Sequence, residues 1–281
     1  MLNKLKNYLL KKNPTIFIDC EEKFDAAIQE ISAKQTIAID TEFDWRNTYF
    51  PKLSLIQIST NKKIFLIDCL KINSLHKLRS IFEDKDIMKV FHAVRSDVTV
   101  LSNSANLKVL NCFDIQIAEK YLSDSDLKSY SKIVFKYLKL RLDKSETTSN
   151  WLRRPFTKNQ INYAADDVRY LIKIYFLQRK ILGKKTNLHD VVFEESKIQA
   201  NKGNEKLYKA RLKRKKMSQF EKKIFMWREK IAEEQNTPIS YVFKDKKLKD
   251  LSNYLKSKNI KMLARILGDN LLVERLIKEV K

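Results

Sequence analysis

Glycine and proline are scarce. With only 3 Gly and 4 Pro in 281 residues, the chain must consist of long elements joined by ordinary turns. That scarcity argues against a glycine-rich phosphate loop, and neither GxGxxG nor GxxxxGK(S/T) occurs. Cysteine is sparse as well: Cys20, Cys69 and Cys112 lie far apart without a CxxC pair. Neither a zinc site nor a disulfide framework is indicated, and a reducing, intracellular setting fits. No apolar run approaches the ~20 residues needed to cross a bilayer. Residues 1–12 set Lys4, Lys6, Lys11 and Lys12 around short apolar stretches, without the apolar core and cleavage site of a secretion signal. A soluble cytoplasmic protein with no membrane partner is therefore expected. Acidic residues are the minority, 34 against 57 Lys+Arg, for a net charge of +23. Such an excess attracts polyanions, of which nucleic acid is the commonest. A compositional bias of the source toward Lys, Asn and Ile would raise the charge too, so charge alone is suggestive only.

Hydrophobic residues make up 43% of the chain, enough for a packed core. Ile16–Ile18 reads as a short strand leading into a helix over 21–31. The run 36–40 (TIAID) is apolar and partly β-branched, as a buried strand would be. Strands are also expected at 53–59 and 64–68, joined by a turn at 61–63, then at 87–92 before a helix over 94–103, with a short last strand at 113–114. Strands in hairpin order followed by strands alternating with helices predict a mixed five-stranded sheet covered by helices. The composition shifts near residue 200. Residues 201–281 carry 23 Lys+Arg against 10 Asp+Glu, or +13, whereas residues 1–200 carry 34 against 24, or +10. This divides the chain into a domain over 1–200, a basic linker over 201–217 and a helical domain over 218–281.

Three segments carry chemistry. At the end of the buried strand, Asp40 and Glu42 stand two residues apart and so aim two carboxylates at one spot. Such a pair repels itself unless a cation intervenes, and oxygen-only ligands suit Mg²⁺ or Mn²⁺. A lone D-x-E is more often just a strand end that turns polar. In Phe91-His92-Ala93-Val94-Arg95-Ser96-Asp97, a strand-to-helix junction puts Asp97 in the helix's first turn. There it could serve a site at the sheet edge or simply stabilise the helix terminus. Thr157-Lys158-Asn159-Gln160 fits a capping box, so a helix should begin after Thr157 with Tyr163 and Asp167 on one face. Core for the tyrosine and surface for the aspartate is the plainer alternative.

Taken together, these segments resemble the three exonuclease motifs of the ribonuclease D family, within the DEDD exonucleases of ribonuclease H-like fold. Asp40 and Glu42 match the first motif, Asp97 the second, and Tyr163 with Asp167 the third. Tyrosine at 163 matches the tyrosine-type subgroup. The stretches 49–58 (YFPKLSLIQI) and 144–157 look like that family too, so the resemblance runs over most of 16–182. Ile115 departs from the family's usual Thr after Asp114, a residue read here as structural. Phe225-Met226-Trp227-Arg228 and Asn236-Thr237-Pro238 make the tail resemble a single HRDC domain, with a generic helical bundle as the alternative.

The resemblance implies a three-layer α/β exonuclease domain followed by a small all-α domain. It also implies two divalent ions, Mg²⁺ or Mn²⁺, held by Asp40, Glu42, Asp97 and Asp167. Tyr163 would orient the attacking water, and nucleoside 5′-monophosphates would leave from RNA 3′ ends, transfer RNA precursors among them. Phe43, Gln57 and His92 would touch the terminal nucleotide, His92 being equally suited to packing at a strand end. Trp151, Arg153 and Arg154 would stack on RNA or contact phosphate, with burial as the alternative for Trp151. A monomer is expected. A DNA exonuclease would share every motif, an inactive RNA-binding scaffold would not need them, and a purely basic chromosome- or ribosome-associated protein would leave them unexplained.

Overall fold

The computed structural model describes residues 13–213 and 216–280; residues 1–12, with the lysines noted above, and Arg214 and Lys215 of the basic stretch lie outside them. The chain divides into two compact units. One runs to Asp44 and resumes over Leu53–Asn204; the other joins Trp45–Lys52 to Glu205–Lys281.

The first unit is built on one mixed sheet. Its strands are β1 (Thr15–Ile18), β2 (Thr36–Asp44), β3 (Lys52–Ser59), β4 (Ile64–Asp68), β5 (Met88–Phe91) and β6 (Cys112–Asp114), in the spatial order β1-β4-β3-β2-β5-β6. β3 and β4 pair antiparallel as a hairpin, while β2–β5, β5–β6 and β1–β4 are parallel. Five strands were expected and six are present. The short segment Thr15–Ile18 joins the sheet by pairing with Ile64–Ile67, which gives β4 a neighbour on its outer side. All five residues of β4 are buried, as suits a strand flanked on both sides.

Helices cover both faces. On one, α1 (Glu21–Ser32) and α2 (Val94–Ala105) pack Phe24, Ala27, Ile31, Val94, Val98 and Leu101 against Ile37, Ile39 and Ile58. The apolar residues of α1 fall three to four apart, forming the single stripe such a helix needs. On the other face lie α3 (Ile115–Ser123), α4 (Tyr130–Leu138), α5 (Lys158–Arg169) and α6 (Leu171–Leu182), packed on Ala38, Leu55, Leu66 and Val90. The capping box anticipated at Thr157 is present in full and starts α5, with Gln160 N donating to Thr157 Oγ1 and Thr157 N to Gln160 Oε1. α7 (Leu188–Gly203) closes the unit against α2.

The second unit is helical: α8 (Leu207–Leu212), α9 (Gln219–Glu234), α10 (Leu248–Lys256), α11 (Ile260–Leu267) and α12 (Asn270–Glu279) enclose an apolar cluster centred on Ile224, Trp227, Ile231 and Leu251. A second capping box, Ser218 with Glu221, begins α9. No helix among the described residues is long and apolar enough to cross a membrane.

Gly203 marks the tightest approach of α7 to α2: a Cβ there would meet Arg95 O and Val98 Cβ at 2.9 Å each. Gly203→Ala should therefore destabilise by about 1–3 kcal/mol, despite alanine's better helix propensity, because overpacking wins. Urea denaturation checks this; an unchanged or higher midpoint would show that the two helices part freely.

Candidate metal centre and nuclease cleft

Strand β2 runs on to Asp44, so Asp40 and Glu42 both lie in regular extended chain and share the face occupied by Ala38. That face is covered by α5, whose Ala164 and Ala165 are buried and short enough to let the helix approach the sheet. One turn of α5 brings Tyr163 and Asp167 to the same spot. Carboxylate oxygens of Asp40, Glu42 and Asp167 all lie within 4.8 Å of one another.

Asp97 approaches from the opposite face. It is buried on the first turn of α2 and accepts a 2.6 Å hydrogen bond from Thr41 Oγ1. Thr41 alternates with its neighbours in β2 and so points away from the three-carboxylate cluster, toward α2. Asp97 stands beside that cluster rather than within it, close enough for the charge of Asp40 to raise its pKa. The turn that delivers it is held by a fifth carboxylate. Asp114 accepts from Ala93 N at 3.1 Å and Val94 N at 2.9 Å, fixing Ala93 in the left-handed region at φ 65°. The same side chain caps α3 through Gln116 N, which agrees with its structural reading.

Crowding shows in the acidities. Burial pushes Asp40 upward, opposed by hydrogen bonds from Thr41 N and Asp97. Glu42 rises through burial and then through the charges of Asp40, Asp167 and Asp97. Asp167 rises through burial and the Asp40 charge, against a hydrogen bond from Tyr163. Asp97 is raised by burial and Asp40. No Lys or Arg among the described residues forms an ion pair with any of the four. A set of oxygen ligands, buried at Asp97 and half-buried at Asp40, Glu42 and Asp167, with no cationic partner among the described residues, fits a hard divalent cation, which would hold all of them ionised. Tyr163, also raised by burial and by Asp167, keeps its proton and is a hydroxyl donor.

The cluster opens into a cleft of about 330 Å³ whose lining includes Asp40, His92, Lys144, Thr147, Tyr163 and Asp167. Thr147 Oγ1 lies 3.3 Å from Tyr163 Oη. Sequence reading missed Thr147, which arrives on a loop with no local signature, and Thr41, although strand alternation could have placed it. His92 does line the cleft; its Nε2 is 3.0 Å from Lys128 O and its ring 5.7 Å from that of Tyr130.

Other expected nucleotide contacts have different surroundings. Phe43 packs against the apolar cluster on the α1–α2 face. Gln57 is wholly buried inside the sheet, with neither amide atom hydrogen-bonded. Trp151 is buried as well, its ring 6.0 Å from Tyr163 and 5.7 Å from Phe156. Arg154 is engaged within the fold. Its Nε and Nη2 each reach buried Asp68 at 2.7 Å, Nη1 reaches Trp151 O at 2.7 Å, and the guanidinium lies 3.8 Å from the Phe156 ring centroid. The fork is saturated by the fold, leaving little to offer a phosphate.

A family model described as 3′-5′ exonuclease matches residues 15–182, and one described as HRDC domain matches residues 218–276. The chain belongs to the 3′-5′ exonuclease family. Its nuclease match contains Asp40, Glu42, Asp97, Tyr163 and Asp167, and its HRDC domain falls within the helical unit. Ribonuclease D of Desulfotalea psychrophila is 32% identical over 244 residues, covering 81% of this chain and 64% of the relative. Ribonuclease D of Haemophilus influenzae is 29% identical over 226 residues, 76% of this chain and 56% of its own length. The chain thus spans 56–64% of the length of these two relatives. Among solved structures, Escherichia coli RNase D has a TM-score of 0.76 at 25% identity, covering 86% of this chain and 66% of that one. The catalytic core of RRP6 from Trypanosoma brucei has a TM-score of 0.69 at 26% identity, covering 96% and 80%. The three-layer α/β domain is accordingly of the ribonuclease H-like exonuclease type, with a six-stranded sheet.

Because Asp68 is 1% exposed, removing its partner strands a buried charge. Arg154→Ala should lower the unfolding free energy by about 3–5 kcal/mol. An unchanged urea midpoint would mean that the pair contributes nothing to the fold.

Proposed function

We propose that the protein is a 3′→5′ exoribonuclease that shortens RNA ends with two divalent ions, Mg²⁺ or Mn²⁺, and releases nucleoside 5′-monophosphates. The observation that carries this reading is the convergence of Asp40, Glu42 and Asp167 within 4.8 Å, beside Asp97 and the protonated Tyr163. Asp40, Glu42, Asp97 and Asp167 would hold the ions. Bound there, such ions stabilise the attacking and leaving oxygens of a phosphodiester. Tyr163 orients the attacking water by hydrogen bond, and Thr147 limits the swing of its hydroxyl. A cleft of about 330 Å³ sits at the small end of ligand sites, suiting a single terminal nucleotide.

RNA as substrate is supported by the ribonuclease D relatives and by the E. coli structure, described as an exoribonuclease involved in structured RNA processing. Trimming of transfer RNA precursors by a monomer is the specific form proposed. The helical unit offers a second point of contact, a groove of about 600 Å³ lined by Tyr241, Lys244, Lys246 and Arg265, with Tyr241 68% exposed. An aromatic face among cations suits stacked bases and their phosphates.

End-labelled RNA incubated with Mg²⁺ or Mn²⁺ should shorten stepwise from its 3′ end, and EDTA should stop it. Asp40→Ala or Asp167→Ala should reduce cleavage below detection, and Tyr163→Phe by roughly 10²-fold. Wild-type turnover in any of these would remove the mechanism. Preference for single-stranded DNA in the same assay would replace the RNA reading with a DNA one.

The pH dependence has a definite sign. Asp40 and Asp167 titrate at about 7 and about 8 in the metal-free fold, above the usual carboxylate value, so the folded state binds more protons than the unfolded chain between pH ~4 and ~8. Their contribution to stability is therefore fullest below pH ~4 and is lost as the pH rises through 7–8, unless a cation replaces the protons. The increase in Tm from Mg²⁺ should be small at pH 5 and grow toward pH 8. An equal increase at both pH values would show that ions and protons do not compete at this cluster.

A further inference from the structure

The loop that follows the first carboxylate strand belongs, in space, to the other unit. β2 carries Asp40 and Glu42 and ends at Asp44; from Trp45 to Lys52 the chain is part of the helical unit, and β3 returns it to the sheet. Only Phe43 and Asp44 separate Glu42 from Trp45, about 10 Å of extended chain. The loop is thus joined to the end of the strand that presents Glu42 through Phe43 and Asp44.

The fixing is done by a buried polar cluster. Tyr49 is 3% exposed and packs into the apolar cluster of Ile224, Trp227 and Ile231. Its hydroxyl donates to Glu229 Oε2 at 3.0 Å. Glu229, 1% exposed on α9, also accepts a bidentate pair from Arg211 on α8, with Nε–Oε1 at 3.0 Å. The Arg211 guanidinium lies 5.0 Å from the Tyr49 ring centroid. Burial and Glu229 raise the Tyr49 phenol, so it stays a donor. Phe50 N donates to Asn236 Oδ1 at 3.1 Å, and Trp45 Nε1 to Tyr49 O at 2.9 Å. The loop is thus tied to the helical unit by ring, hydroxyl and backbone. Arg211, which in sequence belongs to the basic stretch, has its fork occupied within the cluster.

We infer that the helical unit acts on the hydrolytic step itself, with Glu229 and Tyr49 as positioning residues that hold the β2–β3 loop and, through it, Glu42. The inference rests on the exoribonuclease reading. Reacting groups lose about 10²-fold in rate for a misplacement near 1 Å. A loop released at Tyr49 would let the Glu42 end of β2 wander on that scale while the cleft residues stay unaltered. An alternative in which this unit only grips RNA gives a different kinetic pattern, and substrate length separates the two.

The experiment uses the full chain with Mg²⁺ and compares an RNA dinucleotide with an RNA of about thirty nucleotides. Tyr49→Phe removes the hydroxyl and leaves the ring; Glu229→Gln removes the charge; Asn236→Ala releases the Phe50 backbone without touching the buried cluster. For Tyr49→Phe and Glu229→Gln, kcat should fall tenfold or more on both substrates, with KM for the long RNA within twofold of wild type. Asn236→Ala should show a smaller loss with the same split. Urea midpoints report folding; should Glu229→Gln unfold, Tyr49→Phe and Asn236→Ala decide the matter. Dinucleotide kcat at the wild-type value in the folded variants, or a change confined to KM on the long RNA, overturns the inference. A wild-type chain that cleaves neither substrate overturns the exoribonuclease reading instead.

Discussion

Like charges gathered away from water set the conditions for the whole nuclease unit. Asp40, Glu42 and Asp167 share a space under 5 Å across, and Asp97 presses on Asp40 from the far side of the strand. Without a cation, bound protons relieve the repulsion at neutral pH, since burial and mutual charge raise all four acids, and the surrounding backbone keeps the side chains together. Each part of that backbone has a visible source. Strand alternation aims Asp40 and Glu42, the capping box fixes the start of α5, and small Ala164 and Ala165 let α5 approach. Asp114 ties down the turn before α2 with two backbone hydrogen bonds. A site assembled this way is pre-formed for cations and is uncomfortable without them.

Much of the site is legible in sequence because its rules are local. A period of two places Asp40 with Glu42, a spacing of four places Tyr163 with Asp167, and Thr157 with Gln160 announces the helix start. Other features depend on chain segments meeting from far apart. Thr41 and Asp97 are 56 residues apart, and no pattern around either shows the bond. Thr147 reaches Tyr163 on a loop with no periodicity. The sixth strand was visible as Thr15–Ile18, but its place in the sheet was not, because parallel pairing with β4 leaves no turn signature.

Two arginines are taken up by carboxylates inside the fold. Arg154 follows a tryptophan and precedes a capped helix, a setting that suggests an RNA contact, yet it neutralises Asp68 at the buried end of β4. Arg211 sits in the most basic stretch of the chain, yet it neutralises Glu229. In both cases arginine's planar fork matches a carboxylate that the fold has already removed from water, and that desolvated partner outcompetes a solvated phosphate. A count of Lys and Arg cannot distinguish cations facing outward from those the interior has claimed. Exposed Lys244 and Lys246 beside Tyr241 are better evidence of a polyanion surface than the net charge of +23.

Composition shifts near residue 200, and the division of the chain by contacts falls between Asn204 and Glu205. What composition cannot show is that eight residues from the middle of the nuclease unit, Trp45–Lys52, fold with the helices. Their apolar members, Tyr49 and Phe50, look like the lead-in to β3 when read along the chain. With Tyr49 buried in the helical cluster and Phe50 packed against it, they make the helical unit incomplete without the loop, and they leave the loop without its apolar cover if the helices are absent. Two units that share a segment in this way cannot be cut apart at a single position. Any stiffness the helices lend to the loop passes through Phe43 and Asp44 to the carboxylate of Glu42.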